Sequence, residues 1–283
     1  MPARYTTLIS AAELLRLPDA FVVDCSHDLA DPQAGERHYA SGHIPGALFL
    51  HLDRDLSAPT NGRNGRHPLP DPQAFAQRLA QLGLNQDQQV VAYDRAGGSF
   101  AVRLWWMLRW LGHDAVAVLD GGWQAWVAAG GASQSVAPTP RLPGSFVRRP
   151  ALAGTVSAED VSDNLRTQSK LLLDARAPER FAGEVEPLDP VAGHIPGAKN
   201  RFFQTNLQPD GTFKSRQQLR EEFTALLEDW DPRDVIHHCG SGVSGCHNLL
   251  AMMHAGLDGS LLYPGSWSEW CADPSRPVAK GRG

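Results

Sequence analysis

Six residues, Gly42-His43-Ile44-Pro45-Gly46-Ala47, recur letter for letter as Gly193-His194-Ile195-Pro196-Gly197-Ala198. Identity over that length at so wide a separation marks a duplicated unit, and it restricts the chain to two copies of one fold in tandem. The flanks repeat in the same order. Upstream of each copy lies an apolar run ending in aspartate, Phe21-Val22-Val23-Asp24 and Leu171-Leu172-Leu173-Asp174. Downstream, Val90-Val91-Ala92-Tyr93 answers Val235-Ile236-His237-His238, and Gly121-Gly122-Trp123 with Trp126 answers Gly265-Ser266-Trp267 with Trp270.

Within each half, short apolar strands alternate with helical segments of ten or more residues. That alternation predicts an α/β fold in which a mostly parallel sheet carries helices on both faces. Asp71-Pro72 reads as the start of a helix that Gly83 closes, Gly112 closes the next, Ser215 caps one running to Glu228, and Gly256 ends another. The 283 residues accommodate two domains of ordinary size. Their expected bounds are 1–135 and 155–283, joined by a connector at 136–154 that holds Pro138, Pro140, Pro143 and Pro150 with little periodicity.

Composition excludes several function classes. Charges are interspersed and sum to −5, so no basic stripe offers itself to nucleic acid and no polybasic segment to a membrane. No apolar run approaches the roughly 18 residues that span a bilayer, and Met1 to Leu17 carries Arg4, Glu13 and Arg16, unlike a secretory leader. The four cysteines show no C-x-x-C pair, which fits reduced thiols in a cytoplasmic protein. Cys239 and Cys246, near His237, His238 and His247, lack the spacing of a zinc knuckle, and neither a metal nor another cofactor is expected.

Cys239 is the residue with a chemical purpose. It ends the strand Val235 to His238 and opens the loop Gly240-Ser241-Gly242-Val243-Ser244 ahead of an apolar helical run. Glycines at 240 and 242 let the backbone curl so that N–H groups face the sulfur, and the helix behind points its positive end there. Such a setting lowers a thiol pKa and yields a nucleophile at neutral pH. Ser241 brings a hydroxyl within reach of the reacting sulfur, while Gly240, Gly242, Val243 and Ser244 supply the surrounding amides. In the first half Asp94 stands at the matching position, so that half has no nucleophile and its carboxylate is expected to repel an anion. Arg176 and Arg180 are the candidates to hold a substrate carboxylate, with ordinary surface pairing as the rival reading. A cysteine-dependent phosphatase would need an arginine where Gly245 stands.

With these motifs in both halves, nearly the whole chain resembles the tandem-domain rhodaneses, sulfurtransferases of the thiosulfate or 3-mercaptopyruvate type. The resemblance implies an inactive first domain and a second domain whose cysteine carries a persulfide. Cys239-Gly240-Ser241-Gly242-Val243 is similar to the loop of 3-mercaptopyruvate sulfurtransferases, although Ser244 and Gly245 replace a more usual threonine and alanine. It further implies that His43 works with Ser241 and that Arg180 binds substrate, while Asp189 stands in place of a second arginine. The implied reaction moves a sulfane sulfur from 3-mercaptopyruvate, a small-molecule donor, to a thiol acceptor such as thioredoxin or glutathione, or to cyanide. Because residues 240–244 are uncharged, dianionic thiosulfate is expected to be the poorer donor. Thiosulfate:cyanide transfer is the alternative reaction, and a noncatalytic persulfide carrier is the alternative class.

Overall fold

The computed structural model describes residues 4–136 and 138–282. The chain divides into two compact units, one of Met1–Ala58, Leu69–Leu152 and Pro209–Phe213, the other of Pro59–Pro68, Ala153–Gln208 and Lys214–Gly283.

The first unit is built on β1 (Leu8–Ile9), β2 (Phe21–Asp24), β3 (Leu48–Phe49), β4 (Val90–Tyr93) and β5 (Val116–Leu119), ordered β1-β5-β4-β2-β3 with every pair parallel. The second repeats the plan with β6 (Gly154–Thr155), β7 (Leu171–Asp174), β8 (Lys199–Asn200), β9 (Val235–His238) and β10 (Leu261–Leu262), ordered β6-β10-β9-β7-β8 and again all parallel. The central strands β2, β4, β7 and β9 are buried along their whole length, as strands of covered parallel sheets should be, including the aspartates that end β2 and β7 and the two histidines that end β9. Helices α1 (Ala11–Leu14), α2 (Ala34–Ser41), α3 (Pro72–Gln81), α4 (Ala101–Trp110) and α5 (Gly122–Ala128) belong to the first half of the chain. The second half contributes α6 (Ala158–Thr167), α7 (Pro178–Ala182), α8 (Arg216–Leu227), α9 (Gly245–His254) and α10 (Ser266–Trp270). Asp71 caps α3 through Ala74 N–H, and Ser215 forms a capping box with Gln218 at the start of α8, as their spacing predicts.

The duplicated hexapeptide does the same work twice. Ile44 and Ile195 enter the two cores, and Gly46 and Gly197 turn the chain at φ +75° and +79°. The histidines match as well. His43 holds Nδ1 2.8 Å from the Tyr39 carbonyl and stacks on that ring at 3.8 Å, while His194 holds Nδ1 2.8 Å from the Phe181 carbonyl and stacks on Phe181 at 3.8 Å.

Two departures from the expected division have physical causes. Most of the connector is exposed, yet it is tied to the first unit by its backbone: Gly144 N–H donates to Ala80 O, Phe146 N–H to Leu84 O and Arg149 N–H to Leu111 O, with the Phe146 ring buried. An apolar anchor among the prolines gives that stretch something to bury. The loops that follow the third strand of each half also change allegiance, since 59–68 is counted in the second unit and 209–213 in the first. Among the described residues, no helix is long and apolar enough to cross a membrane.

Candidate active site

In the second sheet the chain leaves β7 toward β8 on one side and leaves β9 toward β10 on the other. The carboxyl ends of β7 and β9 therefore flank the point where strand order reverses, where ligands gather in open α/β sheets. Cys239 follows β9 at that point. Its N–H donates to Ser266 Oγ at 3.1 Å, and the loop then curls until Gly242 N–H donates to Sγ at 3.2 Å. Glycine at 242 is required twice over, because φ is +75° and a Cβ there would lie 2.2 Å from the Pro264 carbonyl oxygen.

The sulfur is 1% exposed, and burial pushes its pKa up. The Ser244 hydroxyl and the Ser241 and Gly245 amides outweigh that penalty, so the thiol titrates below its ordinary value. The contrast with other cysteines is chemical, since all four are buried and none is in a disulfide. Burial holds Cys25 well above the usual thiol range and Cys271 up at about 11.

Ser241 is buried, and its Oγ lies 2.7 Å from Nδ1 of His67, itself buried. The neighbouring Arg66 N–H donates to Ser268 Oγ at 3.0 Å, which anchors the 59–68 segment in this unit. The histidine beside Ser241 is therefore His67, which the sequence reading did not single out, while Nδ1 and the ring face of His43 are engaged with Tyr39. The sequence carried a faint sign: Asn61-Gly62-Arg63-Asn64-Gly65-Arg66-His67-Pro68 is a turn-rich loop bearing cations and a histidine, and the second half has only a short counterpart.

The two candidate arginines separate. Arg176 is buried against Asp174, with Nη2 2.6 Å from Oδ2, and it also donates to the Gly193 carbonyl and covers the Trp267 ring at 4.9 Å. Its side chain is 1% exposed and braces the carboxyl end of β7. Arg180 remains partly open. Its Nη2 donates to Glu186 Oε1 at 2.7 Å and to Asp189 Oδ2 at 3.3 Å. Asp189, the residue in place of an expected arginine, also pairs with Arg66 through Oδ1. Both guanidinium groups come to rest over the cysteine loop: a Cβ on Gly240 would lie 2.8 Å from Arg66 Nη2 and 3.5 Å from Arg180 Nη1. Residues 240–244 are uncharged, as the sequence says, yet two cations lie against them.

The matching loop of the first unit is filled from within. Asp94 Oδ1 accepts from the N–H groups of Ala96 and Gly98, and Oδ2 from those of Phe100 and Ala101, all at 2.8 to 2.9 Å. The carboxylate was expected to repel an anion; it is the anion. Elsewhere in that unit His27, His51 and Asp53 bring possible metal-binding atoms within 4.8 Å of one another. Both ring nitrogens of His51 are engaged, however, with Pro32 O and with Asp53 N–H.

The sequence pattern of the Rhodanese-like domain matches residues 9–129 and again 157–273, and this chain belongs to that family. It is 50% identical over 99% of both chains to a Pseudomonas aeruginosa protein described as a "Probable 3-mercaptopyruvate sulfurtransferase". It is 34% identical to the bovine (Bos taurus) thiosulfate sulfurtransferase over 94% of this chain and 90% of the relative. The solved structure of 3-mercaptopyruvate sulfurtransferase from Leishmania major superposes with a TM-score of 0.83 at 31% identity, covering 94% of this chain and 74% of that one. The protein is accordingly a sulfurtransferase that passes sulfane sulfur through a cysteine persulfide.

Proposed function

We propose that the persulfide forms on Cys239 and that the preferred donor is 3-mercaptopyruvate. The Cys239 thiolate attacks the donor sulfur, a sulfur–sulfur bond forms, and the donor's carbon–sulfur bond breaks with its electron pair left on the carbon as an enolate. That enolate takes a proton to become pyruvate, and the proton lost from the donor thiol balances it. A thiol such as thioredoxin or glutathione, or cyanide, then accepts the outer sulfur and restores the thiolate. Cytoplasmic thiols suit this role, and the cytoplasm is the proposed compartment.

The observation that carries the choice of donor is the Ser241–His67 pair, 2.7 Å apart and buried beside the nucleophile's loop. A thiol-bearing keto acid requires a proton to be moved from sulfur to carbon, which a hydroxyl–imidazole pair can relay. Thiosulfate releases sulfite without moving a proton, so for that donor the pair has no task. Gly240, Gly242, Val243 and Ser244 would frame the sulfur, and Arg180, joined by Arg66, would receive the donor carboxylate.

One observation favours thiosulfate as a second donor. Two guanidinium groups against Gly240 offer a dianion the cations that the loop itself lacks. Side-by-side kcat/KM values decide between the donors, and we expect 3-mercaptopyruvate to lead by at least about tenfold, or ~1.4 kcal/mol. Equal or better use of thiosulfate would overturn the choice. A mass gain of about one sulfur on the Cys239 peptide, discharged by excess thiol, tests the carrier residue. Repeated turnover separates an enzyme from a single-round sulfur carrier.

A further inference from the structure

Asp189 has a task that the sulfur-transfer reading does not assign. Its side chain is 3% exposed and bridges two arginines remote in sequence, Arg66 through Oδ1 and Arg180 through Oδ2. Each arginine gives it one terminal nitrogen, Nη1 of Arg66 and Nη2 of Arg180. The terminal nitrogens that remain, Nη2 of Arg66 and Nη1 of Arg180, lie 2.8 and 3.5 Å from where a Cβ on Gly240 would stand, with Arg180 Nη2 itself at 3.6 Å. Asp189 therefore ties the two forks together where donors of both arginines converge beside the cysteine loop. Glu186, also 3% exposed, adds a second carboxylate on Arg180 through Oε1 and reaches toward Arg176 through Oε2 at 3.5 Å. The two guanidinium charges at the loop are thus balanced by two buried carboxylates.

We infer that Asp189 sets donor selectivity, orienting Arg66 and Arg180 as a clamp for a single carboxylate while cancelling charge that a dianion would need. This rests on the reading above, in which a carboxylate-bearing donor meets the Cys239 loop. The clamp's donors are fixed in direction, so a planar carboxylate gains two charge-assisted hydrogen bonds without reordering the arginines. Thiosulfate brings two negative charges toward a thiolate and finds the compensating charge already half spent on Asp189. Asp189 is a positioning residue: it touches the two arginines, and its effect should be read in the apparent affinity for donor.

The experiment compares Asp189→Asn and Arg66→Met with the unaltered protein, using 3-mercaptopyruvate and thiosulfate separately, with cyanide as acceptor. Asp189→Asn should shift the ratio of kcat/KM values at least about tenfold toward thiosulfate, mainly through KM. Arg66→Met should raise KM for 3-mercaptopyruvate by about tenfold or more while kcat stays within about threefold. A sulfur on Cys239 after saturating donor, read by mass spectrometry, shows that each variant is folded and its nucleophile intact. A donor ratio within about threefold of the unaltered protein in a loading-competent Asp189→Asn, or an unchanged KM in Arg66→Met, overturns the inference. Should Asp189→Asn not fold, Arg66→Met still decides. Should the unaltered protein take no sulfur from 3-mercaptopyruvate, the donor reading fails by itself. Selectivity is then read from thiosulfate alone: Asp189→Asn should improve its kcat/KM by at least about tenfold, and no improvement overturns the inference.

Discussion

Replacing Ser244 with alanine removes one hydroxyl from the sulfur and leaves the backbone amides in place. Ser244 precedes α9 but makes no side-chain capping bond, so the change subtracts an interaction at Cys239 without uncapping the helix. A hydrogen bond to a charged group contributes about 1.5 to 3 kcal/mol. Sulfur is a weak acceptor, and the lower end, about 1.5 kcal/mol, corresponds to roughly one pKa unit. We expect Ser244→Ala to raise the Cys239 pKa by about one unit, and at any pH below both values the thiolate fraction, with the rate of persulfide formation, to fall about tenfold. The ultraviolet absorbance of the thiolate, taken as the difference from Cys239→Ser in each background, gives the titration directly. The sign for stability follows from the same shift. The folded pKa lies below that of an unfolded thiol, so the thiolate's contribution is fully present above the unfolded pKa and is lost as pH falls through the folded one. Ser244→Ala narrows that window from its lower edge. A Cys239 titration that moves by less than about 0.3 unit, in a folded variant, would refute the reasoning.

Three further outcomes follow from other parts of the molecule. Gly242→Ala forces a side chain to φ +75° and into the Pro264 carbonyl, so Tm should drop, with ~1 to 2 kcal/mol from the left-handed backbone alone, and sulfur loading should slow as the amide leaves Sγ. His67→Ala should slow turnover of 3-mercaptopyruvate at least about tenfold more than that of thiosulfate, whereas His43→Ala should lower Tm and leave that ratio unchanged, which parallel kinetics and melting curves check. Burial holds His237 down at about 3 against an ordinary 6.5, so the unfolded chain takes up a proton across that window while the folded chain does not. Its stabilising effect is complete above pH 6.5 and is lost on acidification, and His237→Leu should flatten the fall measured by urea titration by about 1.36 kcal/mol per pH unit.

What the sequence disclosed depended on how far apart the cooperating residues stand. Strand, cap and turn signals are local, and the duplication let each half vouch for the other, so the paired sheets and the Cys239 loop were legible. Ser241 and His67 meet across a long separation, on a loop for which the repeat offers only a short counterpart. No periodicity announces such a meeting. His43 drew attention because it lies in the repeated hexapeptide, but repetition of that kind reports a shared structural need, here a ring stacked beneath a turn. Arg176 and Arg180 are close in sequence and alike in chemistry. Only burial divides them, and burial depends on Trp267 and Asp174 packing around the first but not the second. The loop residues 240–244 were correctly read as neutral, yet the field at a sulfur is set by neighbours in space, and Arg66 came from far away.

The carboxylate of Asp94 makes the silent half self-liganded. A ring of inward-facing amides without an acceptor is a liability, because each unmet buried N–H weakens the fold. Asp94 supplies the acceptor from the chain itself and meets four of those N–H groups. The first half thus keeps its loop folded around its own carboxylate, while in the second an amide of the matching loop faces the Cys239 sulfur. A single acidic residue can close such a loop from within and hold the architecture around it.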